Sequence, residues 1–248
     1  TFKRFWNNTR WNPRELYGKT VLEVGSGAGR FTEILLEAGA QVISFDYSNS
    51  VDVNRQNNKN KGDLFLFQGD LFDLPLQDGI FDFVFCFGVL QHVHDPDRAY
   101  LNLFRKIAKG GGRISIDHYL KTHKLLPWNQ PKYFWRRWTS TMDPNKLLRI
   151  VRFYVPLWLP IDTILKKIPK LGLQISTLPH IPCYNHLVEG FSYQERVEWA
   201  ILATFDALSA RYDLPKTLEE VRSMVENSGA ETEVFYGSNG VVANSVRK

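Results

Sequence analysis

The feature that most limits what this chain can become is a regular alternation in its first half. Residues 19–25 (KTVLEVG) form a short apolar run that ends in glycine, and residues 30–38 follow with helical spacing through Phe31, Ile34 and Leu35 until Gly39 stops them. The pattern then recurs. Residues 41–46 (QVISFD) read as a strand, 50–61 as a polar helix, 64–68 and 81–87 (FDFVFCF) as strands. Residues 96–109 read as a helix opened by Asp95 and Pro96, and 113–118 as a fifth strand. Strands alternating with helices build βαβ units and a parallel sheet. Their nearly continuous apolar character suits strands covered on both faces. Right-handed crossovers then make a doubly wound, Rossmann-like sheet the natural topology.

Composition excludes several other classes. With 248 residues, 44% of them apolar and 23% charged, the chain can bury a sizeable core. A disordered chain and a fibrous rod are both ruled out. Cys86 and Cys183 allow one pair, which is no disulfide framework, and no zinc-ligand spacing occurs. A reducing, cytoplasmic setting is expected, and no metal. Residues 1–10 contain no apolar signal core, although Thr1 suggests that the true start lies upstream. No apolar run reaches the roughly 20 residues of a membrane-spanning helix.

The junction after the first strand reads VLEVGSGAGR, with Gly25, Gly27 and Gly29 leading into a helix. Glycines there let backbone approach a ligand closely, and the helix start offers N–H groups. A plain tight turn is the competing reading. Two downstream acids make the pattern more specific. Asp46 ends the second strand, where a carboxylate can accept hydrogen bonds from a ribose diol. Asp70 follows the third strand, where it can meet an exocyclic amine, with Leu71 as an apolar neighbour for an adenine ring. Either acid alone is more often a solvated strand end.

The segments VLEVGSGAGRFTEILLEAGAQVISFDYS, QGDLFDLP and FDFVFCFGVLQHVHDPDRAYLNLFRKIAKGGGRI resemble the class I S-adenosylmethionine-dependent methyltransferases of small-molecule and saccharide type. The resemblance covers about residues 15–118, and the ending at 217–247 is similar to the family's last helix and antiparallel strands. It implies a seven-stranded sheet with the seventh strand antiparallel. It implies that Glu23, Gly25, Ser26 and Gly27 line the methionine portion of S-adenosyl-L-methionine. Asp46 would hold the ribose and Tyr47 flank the adenine. Asp70 and Leu71 would meet the adenine edge and face, and Phe87 and Gly88 would offer carbonyls to the methionine amine. A nicotinamide-dependent oxidoreductase competes for the same half, but position 30 is Arg, so a strict G-x-G-x-x-G is absent. A non-catalytic S-adenosylmethionine-binding protein is the other alternative.

In a doubly wound sheet ligands sit beyond the carboxyl ends of the strands. His118 ends the fifth strand and His92 follows the fourth, so both are candidate bases. For His118 base and structural roles are equally weighted. For His92 packing against the adenosyl group is favoured. His94 reads as part of a helix cap, and Asp117 as pointing away from His118. His123, His180 and His186 lie in or beside a distinct stretch and could reach the site if it folds over as a lid. Cys86 reads as a buried thiol.

That stretch begins after His118. Residues 120–180 hold 11 Lys plus Arg against two acids, with seven prolines and four of the seven tryptophans. Broken helices are expected there. The expected division is a cofactor-binding core with an N-terminal cover over 1–119, a basic aromatic helical insertion over 120–192, and completion of the core by a helix and hairpin over 193–248. A loose likeness to methyltransferases of surface-polysaccharide and secondary-metabolite pathways favours a hydroxyl of a saccharide or other small molecule as acceptor. Residues 146–171 alternate apolar and basic side chains, which reads first as a lid. A peripheral membrane or lipid-linked substrate contact is second, and nucleic acid third, because no RNA-binding module accompanies it.

Overall fold

The computed structural model describes residues 1–107, 110–121, 131–167, 182–185 and 190–248. The chain divides into two units: Thr1–Thr122 with Asp213–Lys248, and His123–Tyr212.

The first unit is built on a seven-stranded sheet. Its strands are β1 (Thr20–Val24), β2 (Gln41–Asp46), β3 (Leu64–Gln68), β4 (Phe83–Cys86), β5 (Arg113–His118), β6 (Glu231–Gly237) and β7 (Gly240–Val246). Their order is β3-β2-β1-β4-β5-β7-β6. β1 to β5 are parallel, and β7 runs antiparallel to both β5 and β6. The expected doubly wound topology is therefore the one observed. The sheet is nearly dry at its centre: all four residues of β4 are buried. A buried parallel strand of this kind explains why 81–87 is apolar without alternation.

The helices of this unit are α1 (Phe2–Thr9), α2 (Thr32–Glu37), α3 (Ser50–Asn58), α4 (Pro96–Lys106) and, near the end of the chain, α8 (Leu218–Glu226). α4 is capped by Asp95, whose carboxylate accepts from the Arg98 N–H at 3.0 Å. α8 has the capping box expected from Thr217 and Glu220. α1 was not evident in the sequence. Its Phe5 packs edge-on against Phe85 at 5.3 Å and lies 6.0 Å from Phe31, in a core patch shared with Trp11 and Phe87. Arg4 on the same helix forms a 2.5 Å ion pair with Asp117. The aromatic N-terminus thus packs on the sheet.

The second unit contains α5 (Pro131–Thr139), α6 (Pro144–Lys166) and α7 (Tyr193–Ser209). Leu147, Val151, Val155 and Leu159 of α6 share a core with Ala200, Ile201 and Leu208 of α7. Two expectations change here. α7 belongs to this unit, so the boundary falls at Asp213 instead of residue 193. And the helix is not broken at Pro156 and Pro160, which both lie inside α6. A proline inside a helix costs about 3 kcal/mol. Here both prolines lie off the buried stripe, Pro160 exposed and Pro156 partly so, and the four-residue apolar stripe packed on α7 outweighs that cost. His123, His180, His186 and the glycine-free run 122–130 lie outside the described residues.

Candidate functional site

The strand order brings five strand ends to one edge of the sheet. Gly25 follows β1, Asp46 ends β2, Asp70 lies just beyond β3, Phe87 follows β4 and His118 ends β5. Neighbouring strands are about 4.8 Å apart, so this row spans roughly 19 Å from β3 to β5. β1 lies between β2 and β4, where the direction of winding reverses. That is the place where a crevice opens in a doubly wound sheet.

The three glycines have positive φ values of 72°, 53° and 85°, but they are glycines for different reasons. A Cβ on Gly25 would meet the Val89 Cγ2 methyl at 2.2 Å. A Cβ on Gly29 would meet Asn54 Oδ1 at 2.0 Å and Asn58 Nδ2 at 2.3 Å. A Cβ on Gly27 would meet nothing within 4 Å, and the same holds for Gly88 at the end of β4. Of these four glycines, Gly27 and Gly88 face open space.

Beneath the loop lies a buried polar ladder. Glu23 Oε2 accepts from Thr32 Oγ1 at 2.5 Å and from Ser44 Oγ at 2.8 Å. Asn54 Nδ2 donates to Thr32 Oγ1 at 2.9 Å, and Asn58 Nδ2 donates to Asn54 Oδ1 at 2.8 Å. Asn57 and Asn58 then donate to the carbonyls of Ala28 and Gly29, each at 2.9 Å. The ladder fixes the loop from behind. Asn54, Asn57 and Asn58 recur at helical i, i+3, i+4 spacing, a signal within the stretch read from sequence only as a polar helix. Gly29→Ala is therefore expected to destabilise the fold by about 2 kcal/mol, from left-handed strain and displaced asparagines. Urea unfolding measures it; a change below about 0.5 kcal/mol would show that the ladder yields freely.

Each expected site residue has a definite place. Glu23 is buried, its Oε1 has no hydrogen-bond partner, and burial raises its carboxyl from 4.5 to about 7. Ser26 is buried. Asp46 Oδ2 accepts from the Gly27 N–H at 2.9 Å, and Oδ1 from the Ser48 N–H and hydroxyl at 2.9 and 2.7 Å. Tyr47 is exposed. Asp70 is exposed and its Oδ1 accepts from the Phe72 N–H, while Leu71 is buried. The Phe87 ring is packed 4.9 Å from Phe85, so it is backbone that this position presents. The Gly88 N–H donates to Asp117 Oδ1 at 2.6 Å. Asp117 thus ties α1 to the end of β4 through Arg4, a link that the sequence did not disclose.

His118 is fully buried, and neither ring nitrogen has a hydrogen-bond partner. Burial lowers its imidazole from 6.5 to about 4, with the Lys216 and His92 charges adding to the effect. It is neutral near pH 7. His92 is half-buried, its ring edge-on to Tyr119 at 5.4 Å. Cys86 is buried and its thiol is pushed well up by desolvation. Among the described residues no group of three His, Cys, Asp or Glu side chains is placed to hold a metal ion.

Residues 22–116 match the family described as methyltransferase domain. The demethylmenaquinone methyltransferase of Thermobifida fusca is 33% identical over 118 residues, covering 46% of this chain and 50% of that protein. The ubiquinone biosynthesis O-methyltransferase of Idiomarina loihiensis is 36% identical over 102 residues, covering 40% of this chain and 42% of that one. The chain thus matches about half the length of these relatives. An S-adenosylmethionine-dependent methyltransferase from Mesorhizobium loti shares the fold over the full length of both chains, with a TM-score of 0.56 at 14% identity. The magnesium protoporphyrin IX methyltransferase of Synechocystis, solved with S-adenosylhomocysteine, matches with a TM-score of 0.51 at 17% identity, over 94% of this chain and 76% of that one.

Proposed function

We propose, on the match of residues 22–116 to the methyltransferase domain family, that this chain is a class I S-adenosylmethionine-dependent methyltransferase and that it methylates a hydroxyl of a small-molecule acceptor. A saccharide, a lipid-linked glycan or a secondary metabolite is the preferred class. A compound of quinone biosynthesis is the natural addition, given the ubiquinone biosynthesis O-methyltransferase among the relatives.

The observations that support the reading are the open space at the Cβ positions of Gly27 and Gly88, beyond the neighbouring strands β1 and β4, and an unpartnered buried carboxylate oxygen on Glu23. Side chains leave that space clear, and an oxygen without a partner favours a ligand that brings a donor. In this reading Glu23 Oε1 accepts from the methionine ammonium, and Asp46 adds ribose hydroxyls to the donors it already holds. Asp70 Oδ2 receives the adenine amine, with Leu71 beneath the ring. S-adenosylmethionine, when bound, supplies a methyl group on a sulfonium. The chain's own task is to hold the acceptor in line and remove its proton. His118 is uncharged near pH 7, but full burial lowers it to about 4, which makes it a weaker proton acceptor than an ordinary imidazole and favours its structural role. His92, at the same edge, packs toward the adenosyl side.

Calorimetric titration with S-adenosylhomocysteine and with NAD, side by side, tests the cofactor. Binding of the first and silence with the second are expected. Binding of NAD alone would move the chain to hydride transfer. Transfer of isotope-labelled methyl to a panel of saccharides and phenols tests turnover. Tight cofactor binding with no labelled product across the panel would instead favour a non-catalytic binding protein.

A further inference from the structure

The chemistry of the sheet edge leaves the second unit unused, and its longest helix carries an unexplained surface. α6 is amphipathic twice over. Leu147, Val151, Val155 and Leu159 are buried, yet Ile150, Phe153, Leu157, Ile161 and Ile164 are exposed, Phe153 by 76% and Leu157 and Ile164 by 64%. At 3.6 residues per turn these five fall within an arc of about 80°. They form one continuous apolar stripe. Exposed Lys146 begins it, and exposed Arg149 and Lys167 border it on one side, with exposed Arg152 about 60° further round the helix. The only acid between Pro144 and Lys167 is Asp162, which is buried and held by Lys166 at 2.8 Å and Asn185 at 3.0 Å. The other acid at this helix is its N-cap, Asp143, which accepts from the Lys146 N–H at 2.9 Å.

We propose that this face of α6 docks on the surface of an anionic lipid bilayer, with the helix lying in the interface. The inference is independent of the acceptor and of the methyl-transfer reading. A helix of 23 residues is about 35 Å long and could cross a bilayer by length alone. Yet among the described residues no helix is apolar enough to cross. An aliphatic and aromatic stripe edged by cations is instead the pattern of a helix that lies flat. Its apolar side chains enter the acyl boundary while the cations meet lipid phosphates.

The charge pattern argues against two other occupants. A second copy packed symmetrically would set arginines against arginines with no acid to pair them. A nucleic acid would satisfy the cations but would leave Ile150, Leu157, Ile161 and Ile164 in water, where phosphate contacts gain nothing from them.

Flotation of the full chain with phosphatidylcholine vesicles, with and without phosphatidylglycerol, tests the proposal. Binding is expected only with the anionic lipid, and it should weaken as salt rises. Each cation near such a surface is worth roughly fivefold in affinity, so Arg149→Gln with Arg152→Gln should lower binding about 25-fold. Phe153→Ser with Leu157→Ser should lower it at least about tenfold. Both pairs are exposed, so the melting temperature should hold, and the arginine pair carries the test if the apolar pair misfolds. Tyr236→Ser, exposed on β6, should bind as the unaltered chain does.

Failure of the unaltered chain to float with anionic vesicles at low salt would overturn the proposal. So would equal flotation of both double variants. A dimer in light scattering that Phe153→Ser with Leu157→Ser dissociates, without flotation, would assign the stripe to a second copy. Arginine-dependent RNA binding without flotation would assign it to nucleic acid.

Discussion

Asp46→Ala is expected to lower the affinity for S-adenosylhomocysteine by about 100-fold or more. The carboxylate now accepts the Gly27 N–H and both donors of Ser48. It therefore sets the loop's position before a ligand arrives, and in the proposed reading it adds ribose hydroxyls afterwards. Hydrogen bonds to a charged acceptor are worth about 1.5–3 kcal/mol each, and two lost at once give roughly two to four decades in affinity. Asp46→Asn keeps one acceptor oxygen and should fall between the two. Ser48→Ala removes a single neutral donor and should change affinity only severalfold. Calorimetry on all three proteins, with melting curves to confirm folding, distinguishes the cases. If Asp46→Ala bound within about threefold of the unaltered chain, the ribose would have to lie elsewhere along the sheet edge.

Much of this edge was legible in the sequence because each part rests on a local rule. A parallel strand covered on both faces is mostly apolar, so β4 announces itself along its whole length, and β1 and β5 do so although they carry Glu23 and Ser115, Asp117 and His118. Gly27 stands where a strand must turn into a helix, and Asp46 stands at a strand end. The sequence could not separate the roles of the three glycines. Those depend on Val89 and on Asn54 and Asn58, which arrive from 25 to 64 residues away. The Arg4–Asp117 pair spans 113 residues and leaves no periodic trace. The unbroken course of α6 through Pro156 and Pro160 has a related cause. Local propensity breaks a helix there, whereas the packing of Val155 and Leu159 on α7 keeps it whole.

A pair of single substitutions should unmask opposite pH dependences of stability that cancel in the unaltered chain. Folding raises Glu23 from 4.5 to about 7 because its carboxylate is desolvated. Its protonated form is the one the fold prefers. The stability it contributes is complete below pH 4.5 and is lost as pH rises through 7, a difference of about 3 kcal/mol. Folding lowers His118 from 6.5 to about 4 for the same physical reason acting on a cation. Its contribution is complete above pH 6.5 and is lost as pH falls through 4, again about 3 kcal/mol. Between about pH 4.5 and 6.5 the unfolded chain thus has an ionised Glu23 and a protonated His118, while the folded chain has both groups neutral. One group takes up a proton on folding and the other releases one, so net proton uptake from the pair is near zero. Glu23→Gln leaves the His118 dependence alone, and its stability relative to the unaltered chain should rise with pH across the window. His118→Gln leaves the Glu23 dependence, and its relative stability should fall. Urea unfolding at several pH values gives both differences free of every other titrating group. Two parallel lines would mean that neither side chain is held neutral by burial. A bound cofactor should change one slope only: an ammonium at Glu23 Oε1 would stabilise the carboxylate, so S-adenosylhomocysteine should bind more tightly as pH rises toward 7 and release a proton there. Glu23→Gln should abolish that pH dependence, whereas His118→Gln should leave it intact.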